Sequence, residues 1–311
     1  DIAGDARFGV GSADGVELAR EPSEDYIITF TQESWSSFEP LSSLVVGPIR
    51  LFFFGSFEDG AADYSCKIAS SGVSRVASVS SQSVTSSSVE CELPQWHPDA
   101  AGSARIYLMR DGVEIVPSRE PLSFRLDAVW TGLSASSGTS SGGTVITVYG
   151  NGFSDVPNFY TCRFCKNECM QMQSSVATFI SPSQLNCTLP SWTFAGGVAT
   201  VELDSKQGIL QYCGLRQVPG PVQYGCSVGS SSTGAPFGDT FEFLPSWQDF
   251  YPQVVPSTEG ISVTVSGYGF DVSRSCTCSF TAESSSNISA TVDATIVSSK
   301  LLICDKHEWM S

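Results

Sequence analysis

The chain has 311 residues, of which 41% are hydrophobic, and its formal net charge is −16 at pH 7. This apolar content suffices for packed cores and argues against a disordered chain, while the length predicts two or three domains of roughly 100–200 residues each. The negative charge argues against binding to nucleic acid or to an anionic membrane, because both present phosphates that clustered Lys and Arg would have to contact.

Residues 1–32 are predicted to be the C-terminal strands of a preceding repeat. The segment Asp14–Leu18 (DGVEL) resembles Asp111–Ile115 (DGVEI), and Tyr26–Phe30 resembles Leu122–Leu126 in its alternation of apolar residues. In both places a turn and a strand lead directly into a tryptophan. Part of a fourth repeat therefore precedes the three that follow.

Residues 33–127 form the first full repeat. A pair of tryptophans, Trp35 and Trp96, encloses two cysteines, Cys66 and Cys91. Short apolar stretches alternate with Gly, Ser and Pro turns, which is typical of an all-β domain. The stretch that begins at Gly47 (GPIRLFFFGSF) is a diverged copy of a glycine-flanked strand that later repeats show more clearly.

Residues 128–245 form the second and clearest repeat, in which Trp130 and Trp192 enclose Cys162 and Cys187. The second cysteine stands five positions before the second tryptophan, as it does in the other two repeats. The block at 142–153 (GGTVITVYGNGF) predicts a turn, an alternating buried strand and a second glycine turn.

The second repeat also contains a long excursion from Asp204 to Gly238, with two cysteines, Cys213 and Cys226. Long insertions between paired strands usually lie at the rim of a sandwich, where the backbone reaches water. We therefore predict that this excursion is an interaction loop, and that Tyr212 and Tyr224 contact a partner.

Residues 246–311 form an incomplete third repeat, in which Trp247 and Trp309 enclose Cys278 and Cys304. Its glycine block is clear (GISVTVSGYGF), but its closing strands are missing. We expect a sheet edge and a core face to remain open until residues outside this stretch, or another chain, cover them. The repeats follow one another without Gly/Ser spacers, which predicts a stiff rod.

The recurring pattern Gly-Gly-Thr-x-[Val/Ile]-Thr-Val-x-Gly-x-Gly-Phe, then Tyr-x-Cys-x-Phe, then Cys-x-x-Pro resembles that of IPT/TIG domains. The resemblance is strong in the second repeat, good in the third and eroded in the first. It implies an all-β chain of tandem immunoglobulin-like (IPT/TIG) β-sandwiches. In that family, tandem copies build receptor ectodomains and large secreted or ciliary surface proteins, while another branch binds DNA. The cysteines and the acidity favour the first group.

Six of the eleven cysteines recur at matching positions of the repeats, which indicates disulfides and an oxidising compartment. In such a sandwich the two cysteine strands come close enough to bridge, and closing a loop of about 25 residues contributes roughly 3 kcal/mol. The predicted pairs are Cys66–Cys91, Cys162–Cys187, Cys278–Cys304, Cys165–Cys169 and Cys213–Cys226.

Two cysteine assignments keep alternatives. Cys162, Cys165 and Cys169 also suggest a zinc site, but the match of Cys162 to Cys187 favours a local Cys165–Cys169 disulfide. Cys276 is left as a free thiol, as a partner of a cysteine outside this stretch, or as a link to another chain.

Two sequons, Asn186-Cys187-Thr188 and Asn287-Ile288-Ser289, predict N-glycosylation and agree with passage through the secretory pathway. Because Asn186 adjoins a strand cysteine, we expect Asn287 to be the more readily used of the two.

The sequence offers no convincing catalytic set. Gly138–Gly142 (GTSSG) matches the nucleophile-elbow pattern, but that motif requires a following helix and here a β-strand is predicted. The two histidines, His97 and His307, fall in different repeats. We expect no catalytic residue, no metal and no cofactor, and no apolar run is long enough to cross a membrane.

These features predict a non-enzymatic, extracellular or cell-surface structural or adhesive module. Its expected partners are other protein chains, including copies of itself, and glycans. Two alternatives remain: the ligand-binding ectodomain of a surface receptor, and an accessory carbohydrate-binding region of a secreted enzyme.

Overall fold

The computed structural model describes residues 4–7, 27–30, 33–58, 62–70, 73–78, 83–93, 101–119, 123–216, 223–227, 239–254, 260–282 and 285–307. The named elements in these ranges are all β-strands, so the chain is all-β as the sequence predicts. Within the same ranges, no helix has the length and apolarity needed to cross a bilayer. The chain divides into two compact units, the first made of Asp1–Ser43, Pro48–Trp96 and Ser103–Arg125 and the second of Leu44–Gly47, His97–Gly102 and Leu126–Ser311.

Near the N-terminus, β1 (Gly4–Arg7) pairs antiparallel with β2 (Ile27–Phe30). The strand β2 covers most of the closing strand predicted at Tyr26–Phe30. The predicted turn at Asp14–Leu18 lies outside the described residues, as do Trp96 and Trp309.

Residues 34–127 form two sheets. Their strands are β3 (Ser34–Glu39), β4 (Ser42–Leu44), β5 (Ile49–Ser56), β6 (Tyr64–Ser70), β7 (Val73–Ser78), β8 (Ser88–Leu93), β9 (Gly102–Arg110), β10 (Val113–Glu114) and β11 (Phe124–Asp127). One sheet has the order β3-β5-β8, and the other has the order β4-β11-β9-β6-β7 with β10 beside β9.

Residues 129–244 form one continuous sheet that folds over into two layers. Its strands are β12 (Val129–Leu133), β13 (Ser137–Thr139), β14 (Val145–Asn151), β15 (Tyr160–Lys166), β16 (Gln171–Ser181), β17 (Gln184–Thr188), β18 (Gly197–Ser205), β19 (Gly208–Ile209), β20 (Gln211–Arg216), β21 (Gln223–Ser227) and β22 (Thr240–Leu244). Their order is β13-β22-β18-β15-β16-β17-β14-β12-β20-β21, with β19 beside β18. The long strand β16 belongs to both layers, because its first half pairs with β15 and its second half with β17.

Residues 246–307 form a smaller sheet with the same internal plan. It consists of β23 (Ser246–Tyr251), β24 (Ile261–Tyr268), β25 (Cys276–Ala282), β26 (Ser285–Ser298) and β27 (Leu301–His307), in the order β23-β24-β27-β26-β25. Here β26 takes the place of β16 and pairs with β25 through one half and with β27 through the other.

The disulfides show that these sheets fold over at the shared strand. In a flat sheet, two strands that flank a third lie roughly 9–10 Å apart. The Cα atoms of Cys162 on β15 and Cys187 on β17 are only 6.3 Å apart, and those of Cys278 and Cys304 are 5.8 Å apart. Each disulfide therefore links the two layers of a sandwich across its core.

Aromatic side chains from both layers fill the core of residues 129–244. Trp192 and Phe243 stack with ring centroids 4.4 Å apart, and Phe164 meets Phe243 edge to face at 5.4 Å. Trp130 is also buried, with 2% of its surface exposed. Burial of each such side chain stabilises the fold by a few kcal/mol, on the order of 1.5–3 for a Phe.

A smaller aromatic cluster fills the core of residues 34–127. Trp35 packs edge to face on Phe53 at 5.3 Å, and Phe38 contacts both Phe53 and Phe124. The indole Nε1 of Trp35 donates a hydrogen bond to the carbonyl oxygen of Ile115 at 2.9 Å. The leading tryptophan thus anchors the core of this repeat as it does in the next one.

The glycine that faces each leading tryptophan has no room for a side chain. Trp35 pairs with Gly55, Trp130 with Gly150 and Trp247 with Gly267, and in every case a β-bulge follows the tryptophan. A Cβ on these glycines would lie 2.1–2.3 Å from the carbonyl oxygen of the residue before the tryptophan. Only glycine permits this approach, which explains why the residue recurs in all three repeats.

A charged cluster closes one side of the first core. Arg110 lies 3.0 Å from Glu33 Oε1 and forms a second, shorter ion pair with Glu58. The Tyr64 hydroxyl donates a hydrogen bond to Glu33 Oε1 at 2.6 Å, and only 1% of Tyr64 is exposed. Burial, followed by the hydrogen bond and the charge of Glu33, raises the pKa of Tyr64 to about 12.

Replacement of Gly150 by Ala is expected to lower the free energy of unfolding by about 2–4 kcal/mol, because the new Cβ overlaps Val129 O and Phe153. The matched control is Gly132→Ala on the neighbouring strand, where an added Cβ meets no atom within 4 Å. The control should change stability by less than about 1 kcal/mol. Urea unfolding followed by tryptophan fluorescence measures both, and equal losses would contradict the close approach.

The stability of the first unit is expected to fall as the pH rises from 10 to about 12. The unfolded chain releases the Tyr64 proton near pH 10, whereas the folded protein retains it to about 12, so deprotonation favours unfolding across this interval. Tyr64→Phe should remove this part of the pH dependence, while Tyr160→Phe, in the second unit, should leave it in place. Urea unfolding on either side of the interval tests this, and identical pH slopes for the wild type and Tyr64→Phe would argue against it.

Candidate functional site

The structure joins ten cysteines into disulfides. The pairs are Cys66–Cys91, Cys162–Cys187, Cys165–Cys169, Cys213–Cys226 and Cys278–Cys304. Cys276 is free and half-buried. It lies two residues before Cys278, at the position that Tyr64 and Tyr160 occupy relative to Cys66 and Cys162. A thiol therefore replaces a buried tyrosine in the third repeat.

The hairpin between β15 and β16 has a constrained, exposed tip. Asn167, Glu168 and Cys169 all adopt left-handed backbone conformations, with φ of 53°, 55° and 61°. Such residues cost roughly 1–2 kcal/mol each when they are not glycine. The Cys165–Cys169 disulfide closes this turn, and the next residue, Met170, is 80% exposed.

The donor atoms at this tip do not fit a metal ion. Cys165 Sγ, Cys169 Sγ and a Glu202 carboxylate oxygen lie within 4.8 Å of one another. Zinc binds thiolates, however, and these two sulfurs are bonded to each other. The Glu202 carboxylate instead lies 3.6 Å from the Arg163 guanidinium. The tip is a disulfide-closed turn and not the zinc site considered from the sequence.

Tyr212 is not a surface residue, which corrects the prediction that it contacts a partner. It lies on β20, which runs parallel to β12 and places Tyr212 opposite Trp130. The two ring centroids are 4.7 Å apart, and Tyr212 is 8% exposed. Burial raises the pKa of its phenol. The segment predicted as a rim loop thus contains a strand that covers the leading tryptophan.

Within the described residues, only the later part of the excursion at 204–238 has no counterpart in the first repeat. In the first repeat, β10 corresponds to β19. The parallel bridge between Trp35 and Pro117 corresponds to the pairing of β12 with β20. The addition is the hairpin of β20 with β21, in which Cys213 lies directly opposite Cys226. Tyr224 lies on β21 opposite Leu215, and residues 217–222 and 228–238 lie outside the described ranges.

The third repeat presents an exposed aromatic edge. Trp247 is 65% exposed and Tyr251 is 76% exposed, whereas Trp35 and Trp130 are each 2% exposed. Among the described residues, β23 pairs only with β24 and ends the sheet. Because the sequence of this repeat lacks the closing strands, it predicted an open edge here. It did not indicate that the tryptophan itself would be exposed.

The two sequon asparagines occupy different positions. Asn186 lies in the middle of β17, where its Oδ1 accepts a hydrogen bond from Thr147 Oγ1 at 3.1 Å. Asn287 lies in β26, two residues after its first residue, Ser285. Both asparagines are therefore on strands, and each is the third residue of its strand.

The segment Gly138–Gly142 lacks the structural surroundings that a nucleophile elbow requires. Ser140 is completely buried, and the strand β14 follows the motif in place of a helix. His307 is the last residue of β27, and His97 lies outside the described residues.

Comparison with known proteins gives one family match. The model of the IPT/TIG domain matches residues 128–216. The match begins just before β12 and ends at the last residue of β20, so it contains the leading tryptophan, the inter-layer disulfide and the strand that covers Trp130. No curated protein matches the chain.

Several solved structures resemble the chain weakly. The extracellular region of plexin A4 is 10% identical with a TM-score of 0.23, and the alignment covers 92% of this chain and 35% of that one. The FN1–FN3 domains of chicken CNTN1 are 11% identical with a TM-score of 0.23, over 88% and 89% of the two chains. A 1.5-MDa bacterial ice-binding adhesin is 10% identical with a TM-score of 0.18, over 88% of each.

The chain thus spans about a third of the plexin A4 structure. The family match, the all-β topology and the disulfide between two layers agree with one another. Residues 128–216 of this chain match the IPT/TIG domain and fold as a two-layered β-sandwich whose layers are joined by the Cys162–Cys187 disulfide.

Proposed function

We propose that the chain is a non-catalytic, extracellular structural and adhesive module. It would consist of the closing strands of one repeat (1–32), two complete IPT/TIG repeats (33–127 and 128–245) and part of another (246–311). The repeats would act as stiff spacers that present interaction surfaces to other protein chains. The observation that carries this proposal is the contact between the second and third repeats.

Backbone groups and serine side chains form this contact, which we call the repeat junction (Ser140, Thr193–Gly197, Pro245, Gly269 and Ser299). Gly196 N donates a hydrogen bond to Gly269 O at 2.9 Å, and Ser299 Oγ donates one to Thr193 O at 2.6 Å. A Cβ on Gly269 would lie 2.3 Å from Ser140 Oγ. Contacts this close leave little freedom for one repeat to turn against the other.

The loop on the second-repeat side of the junction is itself fixed. Lys166 Nζ donates hydrogen bonds to Ala195 O at 3.2 Å and Gly196 O at 3.0 Å, and Trp192 Nε1 donates to Ala195 O at 3.0 Å. Pro245 is the single residue between β22 and β23. A one-residue connection and a loop held by side chains both favour a rigid spacer over a flexible linker.

The disulfides support an extracellular location. Five disulfides within 311 residues persist in oxidising compartments and are rare in the cytosol. The charge of −16 suits a soluble surface that does not bind nucleic acid.

The exposed edge of β23 is the surface that we propose for adhesion. In the second repeat the equivalent edge is covered by a parallel strand that places Tyr212 on Trp130, and in the first repeat Pro117 lies opposite Trp35. The edge of β23 therefore suits a parallel β-strand with a bulky side chain opposite Trp247. We propose that a second copy of this chain contributes such a strand wherever this edge is free.

Ser299→Ala is expected to loosen the repeat junction while lowering stability by no more than about 1.5 kcal/mol, because a single hydrogen bond is lost. Nuclear spin relaxation should show residues 128–245 and 246–307 tumbling together in the wild type and more independently in the variant. Ser279→Ala, on the exposed side of β25, is the control and should behave as the wild type does. Independent tumbling in the wild type would contradict a stiff spacer.

Trp247→Ser is expected to weaken self-association at least about tenfold, because the group at the centre of the proposed contact is removed. Val113→Ser is the control, since Val113 is 71% exposed and lies in the first unit. Sedimentation velocity with and without reductant separates this contact from a disulfide through Cys276. A monomer at every concentration under both conditions would contradict self-association.

A further inference from the structure

The outer face of β14, β17 and the second half of β16 has a polar centre with an apolar border. Thr147, Asn186 and Thr178 form one row across the three strands, because Asn186 pairs with Thr147 on one side and Thr178 on the other. The exposed fractions of the bordering side chains are 56% for Val145, 41% for Tyr149 and 50% for Ile180. We call these three residues the apolar border.

The register places Asn186 at the middle of this border. Val145 and Tyr149 lie two residues to either side of Thr147, which faces Asn186, so both are diagonal neighbours at roughly 7–8 Å. Tyr149 pairs with Gly132 on the next strand, which has no side chain to cover the ring. The ring of Tyr149 is therefore open on that side.

The conformation of Asn186 suits a modified amide. Its Oδ1 is held by Thr147 Oγ1, and within the described part of the chain its Nδ2 makes no hydrogen bond. Cys187, the middle residue of the sequon, is fully buried and faces the core, so the disulfide lies on the opposite side of the strand from Asn186. The neighbouring cysteine thus does not obstruct the asparagine in the folded protein.

We propose that an N-linked glycan on Asn186 lies across this face and covers the apolar border. The first sugar ring has a face of C–H groups that would pack on Tyr149, and hydroxyls that would reach the threonines beside Asn186. A glycan fits both the apolar border and the polar centre, and its attachment point, Asn186, lies on the same face. The inference rests on the extracellular location proposed above, because glycosylation requires the secretory route.

The first test is glycopeptide mass mapping of the full chain expressed through a eukaryotic secretory pathway. Asn186 is expected to carry a glycan in the wild type and in Thr188→Ser, which keeps the sequon, but not in Thr188→Ala, which destroys it. An unmodified Asn186 in the wild type overturns the inference. Modification of Asn287 in that same sample would show that the secretory route was open, so the extracellular location would stand.

The second test asks whether the glycan covers the border. Nitration of exposed tyrosines by tetranitromethane should label Tyr149 several-fold more in Thr188→Ala than in the wild type or Thr188→Ser. Tyr251, which is 76% exposed and lies on β23, should be labelled equally in all three proteins. Equal labelling of Tyr149 in glycosylated and unglycosylated protein would overturn the proposed packing even if Asn186 is modified.

Discussion

At the glycine that faces each leading tryptophan, two strands approach too closely for any side chain. Gly55, Gly150 and Gly267 each lie against the carbonyl before the tryptophan, and each donates its N–H to a carbonyl in the turn that precedes the second cysteine strand. This contact joins three strands: the strand with the leading tryptophan, the strand with the glycine and the strand with the second cysteine. It also fixes the bulge beside the tryptophan, which directs the indole of Trp35 and of Trp130 into its core.

The disulfides depend on this arrangement. The strand that contains the glycine, β14 in the second repeat, is paired on both sides, and β16 crosses from one layer to the other. The cysteines on the two strands that flank β16 therefore face each other through the core. The disulfide then restricts the conformational freedom of the unfolded chain. The same plan recurs in residues 246–307, where the core of the described residues is less completely buried.

The surfaces proposed for function differ because the covering strands differ. The edge of the second repeat is closed by β20 and extended by β21, so its tryptophan is hidden. The edge of β23 has no such neighbour among the described residues, and Trp247 is exposed there together with Tyr251. The outer face around Asn186 is independent of both edges, because it lies on strands paired on each side. The proposed contact with another chain and the proposed glycan therefore involve separate parts of the second unit.

The sequence alone was sufficient for the all-β class, the inter-layer cysteine pairs and the glycine strands. These depend on local periodicity and on residues, such as glycine and cysteine, that few others can replace. The position of Tyr212 required the tertiary structure, because a polar, proline-rich segment gives no sign that one of its strands returns to cover a distant tryptophan. The exposure of Trp247, the junction at Gly196 and Gly269, and the row of Asn186 between two threonines also depend on pairing between distant strands. Packing across the whole sandwich selects the partners of each strand, so the sequence of a single strand does not determine which strands it pairs with.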